Sequence, residues 1–271
     1  SNLAFFAGSA TFRVGGKLRV TGAAQFAIVS NDVYLTVVDS TIFSGASTNG
    51  LLTSGNIIAL GAFVQAGDPA AFSATGTFRV QLYGGGLQQV RFTNPGQNAT
   101  TSHFADLQIG NSSAAGIQFL SPVFAGGTLF SQFGRPAVSR ISGTAADSLS
   151  ITGVQADSIT FDGVPLRIGG NGGLQYLSVF TFQNMNPAVN QFTISRDGLV
   201  GVFTPNQVVF STVPSAGANY LVLRNTSVVG LGLGVTFFNS SPPAAASMTG
   251  RYLKQSIPGP IALIWNGTTL P

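Results

Sequence analysis

The feature that most limits this chain is one short phrase written many times. Each copy alternates apolar and polar residues for about five positions, then meets Gly, Asn or Asp. Gly16-Lys17-Leu18-Arg19-Val20-Thr21-Gly22 is one copy, and Asp147-Ser148-Leu149-Ser150-Ile151-Thr152-Gly153 is another. Asp157-Ser158-Ile159-Thr160-Phe161-Asp162-Gly163 follows directly, and Phe104 to Gly110, Gln191 to Ser195 and Tyr220 to Thr226 read alike. Period-two alternation sends one set of side chains to a core and the other to water. The Gly or Asn then turns the chain, so each copy predicts a short half-buried strand.

The surface chemistry agrees. Charged residues make up 7% of the 271, against about 25% in ordinary soluble proteins. There is no Glu, and there are 35 Gly. Exposed helical faces lean on Glu, Lys and Ala, so Ser, Thr, Asn and Gln must clothe a surface made of strands. The fold class expected is all-β. The absence of Cys removes a disulfide framework and a thiolate metal site. No apolar run reaches the roughly 18 residues of a membrane-spanning helix. The net charge of +4 is thinly spread. Arg13, Lys17 and Arg19 share strand parity and are expected on one solvated face; without a row of stacking aromatics they do not predict nucleic-acid binding.

Short strands in series build either a parallel β-helix, in which coil stacks on coil, or tandem β-sandwich domains. A longer echo suggests an internal duplication, although the spacing of the strands suits either architecture. Gly85-Gly86-Leu87-Gln88 leads through Val90 and Phe92 to Asn94-Pro95, and Gly172-Gly173-Leu174-Gln175 leads through Val179, Phe180 and Phe182 to Asn186-Pro187.

Residues 72–129 carry a more specific pattern. A strand ends at a Gly-rich turn, then come Leu87-Gln88-Gln89-Val90-Arg91-Phe92, Phe104-Ala105-Asp106-Leu107-Gln108-Ile109-Gly110-Asn111, and Gly116-Ile117-Gln118-Phe119-Leu120-Ser121-Pro122-Val123 through Gly127-Thr128-Leu129. This stretch resembles the repeats of secreted bacterial β-helix proteins of the adhesin and autotransporter-passenger type. Residues 55–67 resemble the lead-in strand of such a repeat, and residues 260–266 its closing strand. The resemblance implies a bacterial, extracellular or cell-surface solenoid of non-catalytic character. At a typical coil length of about 22 residues, roughly twelve coils at about 4.8 Å each would stack over some 60 Å.

The domain organisation expected is a repeat body over 1–230 and a cap or docking module over 231–271, where Pro242-Pro243, an Ala run and Pro258-Gly259-Pro260 change the composition. Arg135-Pro136, Pro214 and Pro242-Pro243 are expected to leave the stack as loops. Residues 1–7, with Leu3, Phe5 and Phe6, are expected either to cap the first coil or to dock on a neighbouring copy as an added strand.

The polar residues suggest little chemistry. Some β-helix proteins cleave polysaccharides with paired carboxylates, which draws attention to Asp157 and Asp162, expected to bracket a strand, and to Asp147. Their ordinary reading is as turn formers, which also suits Asp32, Asp39 and Asp68. His103, the sole histidine, has Ser102 before it and Asp106 three residues on. Neighbours on a strand face opposite ways, so Ser102 and His103 do not form a triad. No metal or cofactor is predicted, and the Gly runs lack a following Lys-Ser/Thr for a phosphate loop. Sequons occur at Asn98, Asn111, Asn225, Asn239 and Asn266; they are possible glycosylation sites in a host that glycosylates exported proteins. Asn111 and Asn225 follow equivalent strands and are expected to be turn asparagines. The sequence thus predicts an extracellular structural protein without catalysis, a self-assembling head-to-tail filament subunit or an adhesin. The alternative is a glycan-binding or polysaccharide-cleaving module, with Tyr83, Tyr176 or Tyr220 lining a flank groove beside Asp.

Overall fold

The computed structural model describes residues 3–131, 139–169 and 174–184, and further along the strands within 192–195, 199–200, 205–210, 221–228, 235–238, 245–248 and 261–265. Side chains are described for 3–131, 139–156, 159–169 and 182–184. Among the described residues every regular element is a strand, as the alternation required. The chain divides into two compact units, 1–139 and 140–271; the composition gave no sign of this boundary inside the expected 1–230 body.

The first unit contains β1 (Leu3–Phe6), β2 (Ala10–Val14), β3 (Leu18–Thr21), β4 (Gln25–Val37), β5 (Thr41–Ser44), β6 (Leu52–Ala59) and β7 (Phe63–Gln65). It continues with β8 (Arg79–Leu82), β9 (Gln88–Phe92), β10 (Asp106–Ile109), β11 (Ile117–Phe119), β12 (Val123–Phe124) and β13 (Thr128–Ser131). Each strand pairs in parallel with one a coil further on: Leu3 with Gln25, Ala10 with Val33, Leu18 with Thr41. Three sides result. One stacks β2, the second half of β4, the second half of β6, then β8, β10 and β13. Another stacks β3, β5, β7, β9 and β11. The third runs from β1 through the first halves of β4 and β6 to isolated bridges at Leu52–Ala74, Ser73–His103 and Phe104–Ala125. This is a parallel β-solenoid. The sandwich alternative fails, because its ladders would be antiparallel.

Alternation now has its physical purpose. Leu35, Ile57, Val80, Leu107 and Leu129 are register partners from coil to coil and are all buried. Each such side chain is worth about 1.5–3 kcal/mol on burial. A second interior line is aromatic. Ring centroids lie 5.3 Å apart from Phe6 to Phe26, 5.6 Å from Phe26 to Phe43, 4.8 Å from Phe43 to Phe72, and 5.6 Å from Phe72 to Phe104.

The corners set the coil length. Between Asp106 and Thr128 the step is 22 residues, but between Arg79 and Asp106 it is 27, and between Gln89 and Gln118 it is 29. The expectation of twelve uniform coils is therefore wrong, and the described ladders make about seven turns. Excursions over 66–78 and 93–105 lengthen the corners without disturbing the strand register. One tight corner lies at Gly55. The register passes from Val29–Ser54 to Tyr34–Asn56, so Ser30 to Val33 face Gly55 alone. Its φ is 96°, and a Cβ there would sit 2.5 Å from Ile28 Cγ2 and 2.6 Å from Ser30 O. Only glycine fits.

The second unit follows the same plan. β14 (Ser139–Ser142) crosses the boundary; then come β15 (Leu149–Ile151), β16 (Gly153–Asp162), β17 (Leu166–Gly169), β18 (Leu174–Gln183), β19 (Phe192–Ser195) and β20 (Leu199–Val200). β21 (Pro205–Phe210), β22 (Leu221–Val228), β23 (Val235–Phe238), β24 (Ala245–Met248) and β25 (Ile261–Trp265) complete it. β15, β17, β19 and β22 form one parallel ladder, and β16, β18, β21 and β23 another. The last additions are antiparallel: β25 on β22 and β24 on β23. Within 231–271, β23 still pairs in parallel, and β24 and β25 do not. Arg135-Pro136, Pro214 and Pro242-Pro243 lie outside the described residues.

Candidate functional site

Asp39, Asp68, Asp106, Asp147 and Asp162 help to hold the chain's shape, whereas Asp32, expected in a turn, is exposed within β4. Asp68 Oδ1 accepts the Ala70 N–H at 2.8 Å inside a turn that the Ala71 N–H closes on Asp68 O. Asp147 Oδ2 accepts both the backbone N–H and the hydroxyl of Thr144, at 2.9 and 2.7 Å. Asp106 pairs with Arg79 Nη2 at 3.4 Å, while its Oδ1 accepts the Thr128 N–H at 2.9 Å, tying three successive coils. Asp162 pairs with Arg140 and accepts from Asn184 Nδ2. Asp157 and Asp162 do not bracket a strand: both lie within β16, because that strand runs unbroken from Gly153. The side chain of Asp157 is outside those described. Asp39 takes the Ser40 hydroxyl at 2.9 Å and lies 3.9 Å from Lys17.

Ser102 and His103 lie outside the named strands and are both buried, so they are not set on opposite faces as alternation would have it; they engage different partners. The Ser102 hydroxyl donates to Pro69 O at 2.7 Å and accepts from the Phe72 N–H. His103 is buried, with Nδ1 3.2 Å from Thr101 O. Burial pushes its pKa below the ordinary value of 6.5, against the opposing pull of backbone groups of Thr101, Gly96 and Ala74. Asp106 is committed to Arg79, so no Ser-His-Asp relay forms.

The basic cluster is corrected. Arg13 lies on β2 and Arg19 on β3, two different sides of the coil, with Lys17 at the corner between them. Parity counting assumed one continuous strand, and the corner breaks it. The register instead joins Arg19, Ile42, Val64 and Arg91 in one outward column, with Gln89 and Gln118 hydrogen-bonded beside it at 2.9 Å.

The Tyr83 ring packs over Gly110. A Cβ on Gly110 would come within 2.0 Å of its ring, and its hydroxyl accepts from Gln108 Nε2 at 2.7 Å. The Tyr176 side chain and Tyr220 lie outside the described residues. Of the sequons, Asn98 is exposed, and its Oδ1 holds Thr100 and Thr101 in a turn. Asn111 is buried, donating to Gly86 O at 2.9 Å and accepting from the Ser113 N–H at 2.8 Å; this is the turn asparagine expected. Asn225 is not the turn asparagine expected: β22 continues through it to Val228, with its side chain undescribed, and Asn239 and Asn266 fall outside the described residues.

Leu3, Phe5 and Phe6 form β1, laid in parallel register on β4 as the opening strand of the first coil. Leu3 and Phe5 are 51% and 58% exposed, and Phe12, touching Phe6 at 4.9 Å, is 40% exposed. Among the described residues β1, β2 and β3 each pair along one edge only.

Two residues that the sequence reading passed over prove central. Gln65 and Gln88 point inward. Gln88 Nε2 donates to Ala59 O and Gly61 O at 2.8 Å each, and its Oε1 accepts the Gly84 N–H at 3.0 Å. Gln65 Nε2 donates to Asp68 O at 2.9 Å, and its Oε1 accepts from the Thr93 and Asn94 N–H groups. Both close corners from the inside. The signal was available: Gln88 shares parity with the core residues Val90 and Phe92.

No protein-family model matches this chain, and no curated protein or solved structure shows a significant similarity to it.

Proposed function

We propose that this chain is a non-enzymatic extracellular structural protein, a filament subunit or surface adhesin built by stacking coils. The observation that carries the reading is the use of its polar side chains. Asp39, Asp68, Asp106, Asp147 and Asp162, with Ser102, are bonded into turns, ion pairs and coil-to-coil ladders, which suits a framework better than a reacting centre. The first coil supports assembly as the mode of action. Its backbone edges and the apolar faces of Leu3, Phe5 and Phe12 match what a further parallel coil would cover. A second copy joining there head to tail would continue the interior columns.

Negative-stain electron microscopy of the chain, beside a variant lacking residues 1–7, tests this. Filaments from the full chain and isolated particles from the variant are the expected result. Isolated particles from both, across a wide concentration range, would sink the assembly reading.

A further inference from the structure

We propose that residues Asn94–Ser102 form an acid-opened flap on the wall of the first unit, with the His103 side chain as its latch. The flap is an ordered excursion with a defined neck. The Gly96 N–H donates to Ser102 O at 3.1 Å, and the Ser102 N–H to Asn94 O at 2.9 Å, with Pro95 and Ser102 bridged. Its tip, Gln97 to Thr100, is exposed, and Asn98 organises it. The neck docks on the body through His103 N–H to Phe72 O at 2.9 Å and Ala74 N–H to His103 O at 3.2 Å, beside the Ser102 hydroxyl bonds to Pro69 and Phe72 and the Asn94 N–H bond to Gln65 Oε1.

The imidazole sits where neck and body meet. It is 5% exposed, and the backbone of Thr101 and Gly96 from the neck and of Ala74 from the body face it. The carboxylates on adjacent elements are committed elsewhere: Asp68 to Ala70, and Asp106 to Arg79 and Thr128. None offers a counter-charge to the ring. Beside it, the buried Ser73 hydroxyl has no hydrogen-bond partner, so the joint contains a polar group that opening would hydrate. A neutral ring fits this pocket; a charged one is left without solvent or a carboxylate. Its pKa is depressed in the closed state, so the closed form is fully favoured above about 6.5, the unfolded value. That advantage is lost as pH falls through the closed-state pKa, because the open form takes up the proton more readily.

Amide hydrogen exchange on the full chain at pH 7.5 and pH 5, corrected for intrinsic rates, reads this directly. The Ala74, Gly96, Ser102 and His103 amides are expected to lose protection severalfold at the lower pH, while those of Val80 and Leu107 hold theirs. In His103→Gln, protection of the neck should no longer depend on pH. Equal losses in neck and body, or an unchanged acid response in His103→Gln, would overturn the latch. Should that variant fail to fold, NMR titration of the His103 ring in the unaltered chain replaces it. Ring protonation must coincide with the loss of neck protection, and separate midpoints would overturn the proposal.

Discussion

Gln88 and Gln89 are neighbours with the same side chain, one inside the coil and one outside. Replacing each in turn by Leu separates an interior role from a surface one. Gln88→Leu keeps the volume but leaves the buried Gly84 N–H and the half-buried Gly61 carbonyl without their partner; Ala59 O still accepts the Tyr83 N–H. Orphaning a buried polar group costs about 1–3 kcal/mol. We take about 2 for the Gly84 N–H and about 1 for the less buried Gly61 oxygen. The added apolar burial of Leu returns about 1 kcal/mol. The net loss is about 2 kcal/mol, or roughly 4–8 °C in the melting temperature of a chain this size. Gln89→Leu gives up one exposed amide-to-amide bond with Gln118 and should stay within about 0.5 kcal/mol of the parent. Thermal unfolding followed by circular dichroism on the three proteins is the assay. Equal melting temperatures for the two variants, or a Gln88→Leu variant as stable as the parent, would refute the idea that inward glutamines hold the corners.

Gly55→Ala should destabilise by about 2 kcal/mol or more, since φ of 96° and the Ile28 and Ser30 contacts leave no room for a methyl group; a lowered urea midpoint checks it, and an unchanged one would show that the corner relaxes freely. Acidification from pH 7 to 5 should lower the stability of the parent chain through His103, whose depressed pKa makes unfolding take up a proton. Urea titrations of the parent and of His103→Gln at both pH values isolate that share, and an identical pH dependence in the two would assign the effect to other groups.

By itself the sequence determined the class and the place of many strands. Alternation in Leu18–Thr21, Leu149–Ile151 and Phe192–Ser195 predicted strands that the structure contains, because period two is a local property written residue by residue. It also showed that Asp68 and Asp147 would serve turns, since Asx hydrogen bonds reach only a few positions along the chain. Tertiary structure alone decided what depends on the corners. Whether Arg13 and Arg19 share a face, where one coil ends, and which residues meet at Gly55 all turn on how many residues each corner holds. Small insertions there leave strand pairing intact, so the alternation does not record them. The inward glutamines were settled at the same level. Gln88 has core parity but a polar head, and only the folded corner supplies the Ala59, Gly61 and Gly84 backbone groups that make its burial favourable.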